Sequence, residues 1–145
     1  MVIDEPHSPP KASVVAGALI NPVNVNRWTM VADHQHYNAA ALETYRSMED
    51  TLGISLLEAM QMFVFHKDET KQQLYNEKQM QLPACIKQPT NAEITLTQQF
   101  FSNKYGMAKV SPVWKIHATR LLSAWSFFLK NKGLLIQEQF NIAEC

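Results

Sequence analysis

Apolar residues recur at helical spacing in the middle of the chain. The recurring residues are three or four positions apart: Tyr37, Ala41, Tyr45, Met48 and Leu52. Such spacing places them on one stripe of a helix, and most charged residues fall off that stripe. The pattern predicts a helix over residues 36–51, and Gly53 is a natural stop for it.

Two capping boxes predict further helices. In Ser55–Glu58 and in Thr90–Glu93, a hydroxyl residue is followed three positions later by Glu. The hydroxyl accepts an amide of the first turn, and the Glu reaches back to the cap. We expect the first box to start a helix that continues to residue 81, before Pro83. The second should start a helix that ends near Tyr105, before Gly106.

A last long helix is predicted after Ser111 and Pro112, which match an N-cap followed by proline at the first helical position. It should run from Val113 to Asn131 and end at Gly133. Residues 134–141 fit either a short strand or a final helix.

The N-terminal part has a different pattern. Residues 1–13 are rich in proline and predict a flexible arm. Short extended segments are expected up to Asp33, with Arg27–Ala32 as the best strand. The predicted fold class is therefore mainly α: four or five helices with one or two short N-terminal strands. Residues 14–145 would form one domain, with an acidic half (14–88) and a basic helical half (89–137).

Charge is segregated along a chain that is neutral as a whole. From Ile94 to Gln137 there are six basic residues and no acidic one. Such segregation indicates a partner of opposite charge more directly than the net value does.

A helical wheel of residues 113–131 gives this block a face. Lysines and hydroxyls fall within about a quarter turn, opposite an apolar side. Such a face suits a nucleic-acid backbone or an acidic protein surface. The candidate binding residues are Lys104, Lys109, Lys115, Thr119, Arg120, Ser123, Ser126 and Lys130.

The segment Leu96–Met107 resembles the first helix and turn of a helix-turn-helix, because Phe101, Ser102 and Gly106 match its apolar, small and glycine positions. Residues 113–116 resemble the start of the recognition helix, and residues 132–135 resemble the entry to a wing. The stretch 107–112 is longer than the turn of that family. The resemblance implies DNA binding.

A second resemblance covers residues 27–60. A strand, a helix and the turn Gly53, Ile54 and Ser55 are similar to a ribbon-helix-helix antitoxin, in which a strand pair enters the major groove. Arg27 is the basic residue on the candidate ribbon. This resemblance also implies DNA binding, through a different element.

Candidate catalytic or metal-binding groups are sparse. His34 and His36 would share a face in a strand but not in a helix, and a third ligand would have to be His66, Asp68 or Cys85. Cys85 has apolar neighbours, which indicate a buried, inert thiol. We therefore predict no enzyme activity, no metal and no cofactor.

Two function hypotheses follow. The first is a small DNA-binding regulator. The alternative is a protein-protein adaptor, inhibitor or complex subunit whose basic face meets an acidic surface, including that of another copy in a homo-oligomer. Two distant cysteines, and the lack of an apolar stretch long enough to span a membrane, predict a cytoplasmic protein without membrane contact.

Overall fold

The computed structural model describes residues 2–3, 18–82 and 85–136 of the 145-residue chain. These residues form four α-helices, one 3-10 turn at Gln79–Gln81 and eight strands. The helices are α1 (His34–Leu52), α2 (Glu69–Lys78), α3 (Asn91–Gln98) and α4 (Ala118–Asn131). The strands are β1 (Val2–Ile3), β2 (Leu19–Ile20), β3 (Val23–Asn24), β4 (Thr29–Met30), β5 (Leu57–Phe65), β6 (Ile86–Lys87), β7 (Met107–Ile116) and β8 (Leu135–Ile136). The fold is a mixture of helices and strands, so the prediction of a mainly helical domain is wrong.

The main sheet is built around β7. Strand β5 lies along one edge of β7, while β2 and β6 both pair with its other edge. Backbone bonds join His117 to Leu56 at one end and His66 to Gly106 at the other, so β5 and β7 run antiparallel. Pro112 lies between the β7 residues that pair with β6 and those that pair with β2. Its missing N–H therefore removes no bond of either ladder.

The predicted helix at Ser55–Glu58 is instead the start of β5. The Glu49 carboxylate accepts the amides of Leu56 and Leu57 at 2.5 and 2.9 Å. These amides belong to the turn that a Ser55 cap would have organised. Along β5 the residues alternate, and Met60, Met62 and Val64 pack against the core.

The predicted long helix from Val113 to Asn131 is correct only in its second half. Residues 107–116 form β7, because β-branched and aromatic residues fill a strand buried between neighbours. Ala108, Val110 and Val113 are fully buried there. The helix begins only at Ala118, so the predicted helix-turn-helix is absent. The second ribbon-helix-helix helix is absent too, because β5 occupies its place.

Other predicted elements are observed. Helix α1 spans the predicted range, and the Thr90–Glu93 capping box is present at the start of α3. Helix α3 ends at Gln98, earlier than predicted. The strand predicted over residues 27–32 is observed at Thr29–Met30, paired with β3. The predicted flexible arm, residues 1–13, lies outside the described residues except for Val2–Ile3 in β1. Of residues 134–141, for which strand and helix were both open, Leu135–Ile136 form β8, and residues 137–141 lie outside the described ranges.

Contacts divide the chain into two compact units. The central unit contains Leu19–Ala41 and Ala59–Lys115, and the terminal unit contains Leu42–Glu58 together with the described residues at both ends. The core of the central unit joins Trp28, Tyr75 and the fully buried residues of β7. The Trp28 ring lies 5.0 Å from the Tyr75 ring and 6.0 Å from the His66 ring.

The terminal unit has a strand pair, buried leucines and a polar contact of its own. Strands β1 and β8 pair in parallel, and Leu56 and Leu129 are buried. His117 Nε2 lies 3.2 Å from a Glu58 carboxylate oxygen. Among the described residues, no helix is both long enough and apolar enough to cross a membrane.

Candidate interaction surface on helix α4

Helix α4 ends as the sequence predicts. Lys130 lies in its last turn, and Gly133 adopts a φ of +67°, a left-handed conformation that suits glycine. The amides of Lys132, Gly133 and Leu134 donate to carbonyls of the last turns. The cation in the last turn is favourable near the negative pole of the helix dipole.

Half of the predicted binding residues share a face of α4. At 100° per residue, Thr119, Ser123, Ser126 and Lys130 lie within about 60° of one another. Thr119, Ser123 and Lys130 are exposed, and Ser126 is half-buried. Lys115 does not belong to this face, because it lies in β7 opposite Leu19.

Lys104 and Lys109 belong to the central unit and have partners there. Lys109 Nζ lies 2.8 Å from a Glu93 carboxylate oxygen. This bond, together with the Thr90 amide, lowers the pKa of Glu93 to about 2. Lys104 Nζ lies 4.9 Å from the centre of the Tyr105 ring. The basic block is thus divided between the two units, and Lys109 is neutralised.

Arg120 is exposed and anchors the turn between α1 and β5. One of its guanidinium nitrogens donates to the carbonyl oxygen of Ser55 at 2.8 Å. A guanidinium has five N–H donors, so most of its donors are left for another ligand.

A cavity beside α4 is the feature that the sequence reasoning missed. It has a volume of about 500 Å³ and lies between the end of α1 and the second half of α4. Its lining is mostly apolar: Thr51, Leu52, Ile54, Ala124, Phe127, Phe128, Asn131 and Lys132. Phe127 lines it although 68% of the residue is exposed.

The signal for this feature was present in the helical wheel. Phe127 falls on the polar side of α4, within about 40° of Arg120 and Asn131. A single exposed phenylalanine is ordinary, but an exposed apolar residue that borders an apolar cavity forms part of a larger apolar surface.

Helix α4 contributes only basic charges to this region, whereas Glu49 and Asp50 lie near the end of α1. Helix α4 carries no carboxylate, and Lys132 Nζ lies 5.8 Å from the Phe128 ring centre. In the same unit, Glu49 accepts two backbone amides, which lower its pKa, and Glu58 contacts His117. We call the cavity together with Arg120, Ser123, Phe127, Lys130 and Lys132 the α4 surface.

The histidines and the cysteine that were candidates for metal binding or catalysis do not belong to the α4 surface. Among the residues that the structure describes, no three His, Cys, Asp or Glu side chains come together as metal ligands. His34 and His36 lie in the first turn of α1, and His66 is buried against Tyr75. Cys85 is buried, as its neighbours predict, and burial raises the pKa of its thiol.

Comparison with known proteins gives no relative. No protein family, curated protein or solved structure matches this chain.

Proposed function

We propose that this chain is a non-enzymatic protein-binding subunit whose α4 surface holds an acidic, amphipathic segment of a partner. The observation that carries the proposal is Phe127. The residue is largely exposed at the border of an apolar cavity. Lys130 lies in the last turn of the same helix and Lys132 follows it, and the helix contains no carboxylate. An exposed aromatic next to a pocket is the kind of residue that dominates binding energy at interfaces.

The size and polarity of the cavity define the partner. A volume of about 500 Å³ accommodates a few apolar side chains. Lys132 lines the cavity, and Arg120 and Lys130 lie on α4. Acidic residues flanking the apolar anchor complement these charges. An amphipathic segment presents both kinds of side chain at once.

Nucleic acid fits the α4 surface less well. The helix pair that implied groove binding is absent, and Lys109 is occupied by Glu93. Phosphate recognition uses many cations and backbone amides, and it gains nothing from an apolar cavity. DNA binding therefore stands as the competing outcome of the test.

The test is selection from a random-peptide display library on the immobilised full chain. We expect recovered peptides to combine Asp or Glu with Leu or an aromatic anchor. Phe127→Ala should lose this recovery, whereas Phe100→Ala, which changes an equally exposed ring of the central unit, should keep it. Peptides without an acidic excess, or unchanged recovery with Phe127→Ala, contradict the proposal.

A mixed-sequence DNA duplex forms the second arm. We expect no saturable binding at low salt by fluorescence anisotropy. Saturable binding that weakens at physiological salt and disappears in a Lys115→Glu/Lys130→Glu variant would assign the basic residues to nucleic acid instead.

A further inference from the structure

Strand β5 is a long strand at the edge of the main sheet. It has nine residues, and among the described residues only β7 pairs with it, on one side. No described strand pairs with the other side of residues 59–65, although Glu49 accepts the amide of Leu57 at the start of the strand. Ala59 and Gln61 are exposed there.

This edge has few of the devices that usually prevent strand addition. Strand β5 contains no proline, and its one charged residue, Glu58, lies near its start beside His117. Since Met60, Met62 and Val64 pack against the core, the alternate residues Ala59, Gln61 and Phe63 face the opposite side.

An exposed aromatic group continues this opposite side at one end of the strand. The rings of Phe65 and Phe101 lie 5.2 Å apart, and 58% of Phe101 is exposed. Leu96 and Phe100 are exposed beside it in sequence. One end of the edge therefore carries large apolar rings, and the other end carries the small side chain of Ala59.

We propose that β5 pairs antiparallel with β5 of a second copy of this chain. Antiparallel pairing centred on Met62 puts Phe65 of each copy opposite Ala59 of the other. The large rings of one copy then cover the exposed small residue of the other, at both ends of a two-fold interface. Gln61 falls opposite Phe63, and no register within residues 59–65 opposes like charges. In a parallel pair the two-fold axis would run along the strands and turn one sheet over, so the rings of one copy would lie on the face opposite to Ala59 of the other and leave it uncovered.

The experiment measures self-association of the full chain by sedimentation velocity over a range of concentrations. We expect a reversible dimer. Ala59→Arg, which places a charge opposite the rings, and Phe101→Ser, which removes a ring, should each weaken dimerisation roughly tenfold or more. Both positions are exposed, so the variants should stay folded.

Two controls separate this interface from other changes. Ala39→Arg makes the same substitution at an exposed position of α1 and should dimerise like the wild type. Phe127→Ser should also keep the dimer, because the α4 surface is a different site. In the wild type, amides of β5 should exchange hydrogen more slowly as concentration rises.

A wild type that is monomeric at every concentration overturns the proposal. So does a dimer that Ala59→Arg and Phe101→Ser leave unchanged. Loss of the dimer in Phe127→Ser would place the interface on the α4 surface, and would also overturn it.

Discussion

Glu49 shows how one side chain changes the course of the backbone. Its carboxylate accepts the amides of Leu56 and Leu57, and its own carbonyl accepts the amide of Gly53 at 2.8 Å. These bonds end α1 and start β5. The two bonds of the Glu49 carboxylate join residues seven and eight positions apart, so a local capping motif does not reveal them.

His66 is a buried residue whose titration should affect stability just below neutral pH. It is buried against Tyr75 and Trp28, and burial lowers its pKa from the ordinary value of 6.5. Below pH 6.5 the unfolded chain takes up a proton that folded His66 resists, so the free energy of unfolding falls as pH decreases. Above that pH both states are neutral, and the contribution is constant.

We therefore predict that His66→Phe flattens this acid-side loss of stability. The measurement is urea unfolding between pH 7.5 and pH 5, about 1 unit above and about 1.5 units below the ordinary pKa of histidine. His36→Phe, at an exposed position, is the control and should follow the wild type. Equal pH dependence in all three proteins would show that His66 does not carry the effect.

Gly53 lies in the turn that ends α1 and leads into β5. Its φ is +65°, and no atom lies within 4 Å of the place of a Cβ, so only its backbone conformation opposes substitution. We predict that Gly53→Ala lowers the free energy of unfolding by about 1–2 kcal/mol. Chemical denaturation measures this value. A neutral or stabilising substitution would mean that the turn between α1 and β5 is not left-handed.

Helix α4 should separate stability from binding. Leu129 is 9% exposed, and Leu129→Ala should lower the free energy of unfolding by about 2–5 kcal/mol. Phe127→Ala should change it by less than about 0.5 kcal/mol, because the ring is mostly in solvent. Thermal and urea unfolding of the two variants check this contrast. A large loss of stability in Phe127→Ala would make this ring a core residue rather than a binding group.

The elements that could be predicted from the sequence are those that local interactions define. The stripe of α1, the Thr90–Glu93 box and the Gly133 stop all involve residues within a few positions of one another. Strand β5 forms because it pairs with β7 and because Glu49 binds the amides at its start. The two strands are distant from each other in sequence. Ser55, which precedes β5, and Ser111, which lies within β7, resemble helix caps, so the pattern predicted helices.

The same distinction applies to the candidate site. The polar face of α4 was predicted, because it depends on helix spacing alone. The pairing of Lys109 with Glu93, the place of Lys115 in β7 and the cavity at Phe127 depend on tertiary contacts. Lys109 loses its role as a free cation for that reason.

At the scale of the whole molecule, the structure changes the meaning of the basic block. Lys104, Lys109 and Lys115 belong to the central unit, whereas Arg120, Lys130 and Lys132 belong to the terminal unit. The basic block is therefore shared between the two units, and of its three residues in the terminal unit Lys132 lines the apolar cavity. The two proposed interfaces, the α4 surface and the β5 edge, use different residues and can be tested separately.

The most direct test of the proposed function reverses the charge of the α4 surface. The wild type, a Lys130→Glu/Lys132→Glu variant and a Lys87→Glu/Lys104→Glu control are used in parallel selections from one peptide library. The control changes the same charge at exposed lysines of the central unit. Circular dichroism confirms that each protein is folded.

We predict that the wild type and the control recover acidic peptides with an apolar anchor. The α4 variant should lose these peptides, or recover basic ones in their place, because the charge that complements the anchor has changed sign. Recovery of the same acidic peptides by all three proteins would contradict the assignment of partner binding to the α4 surface.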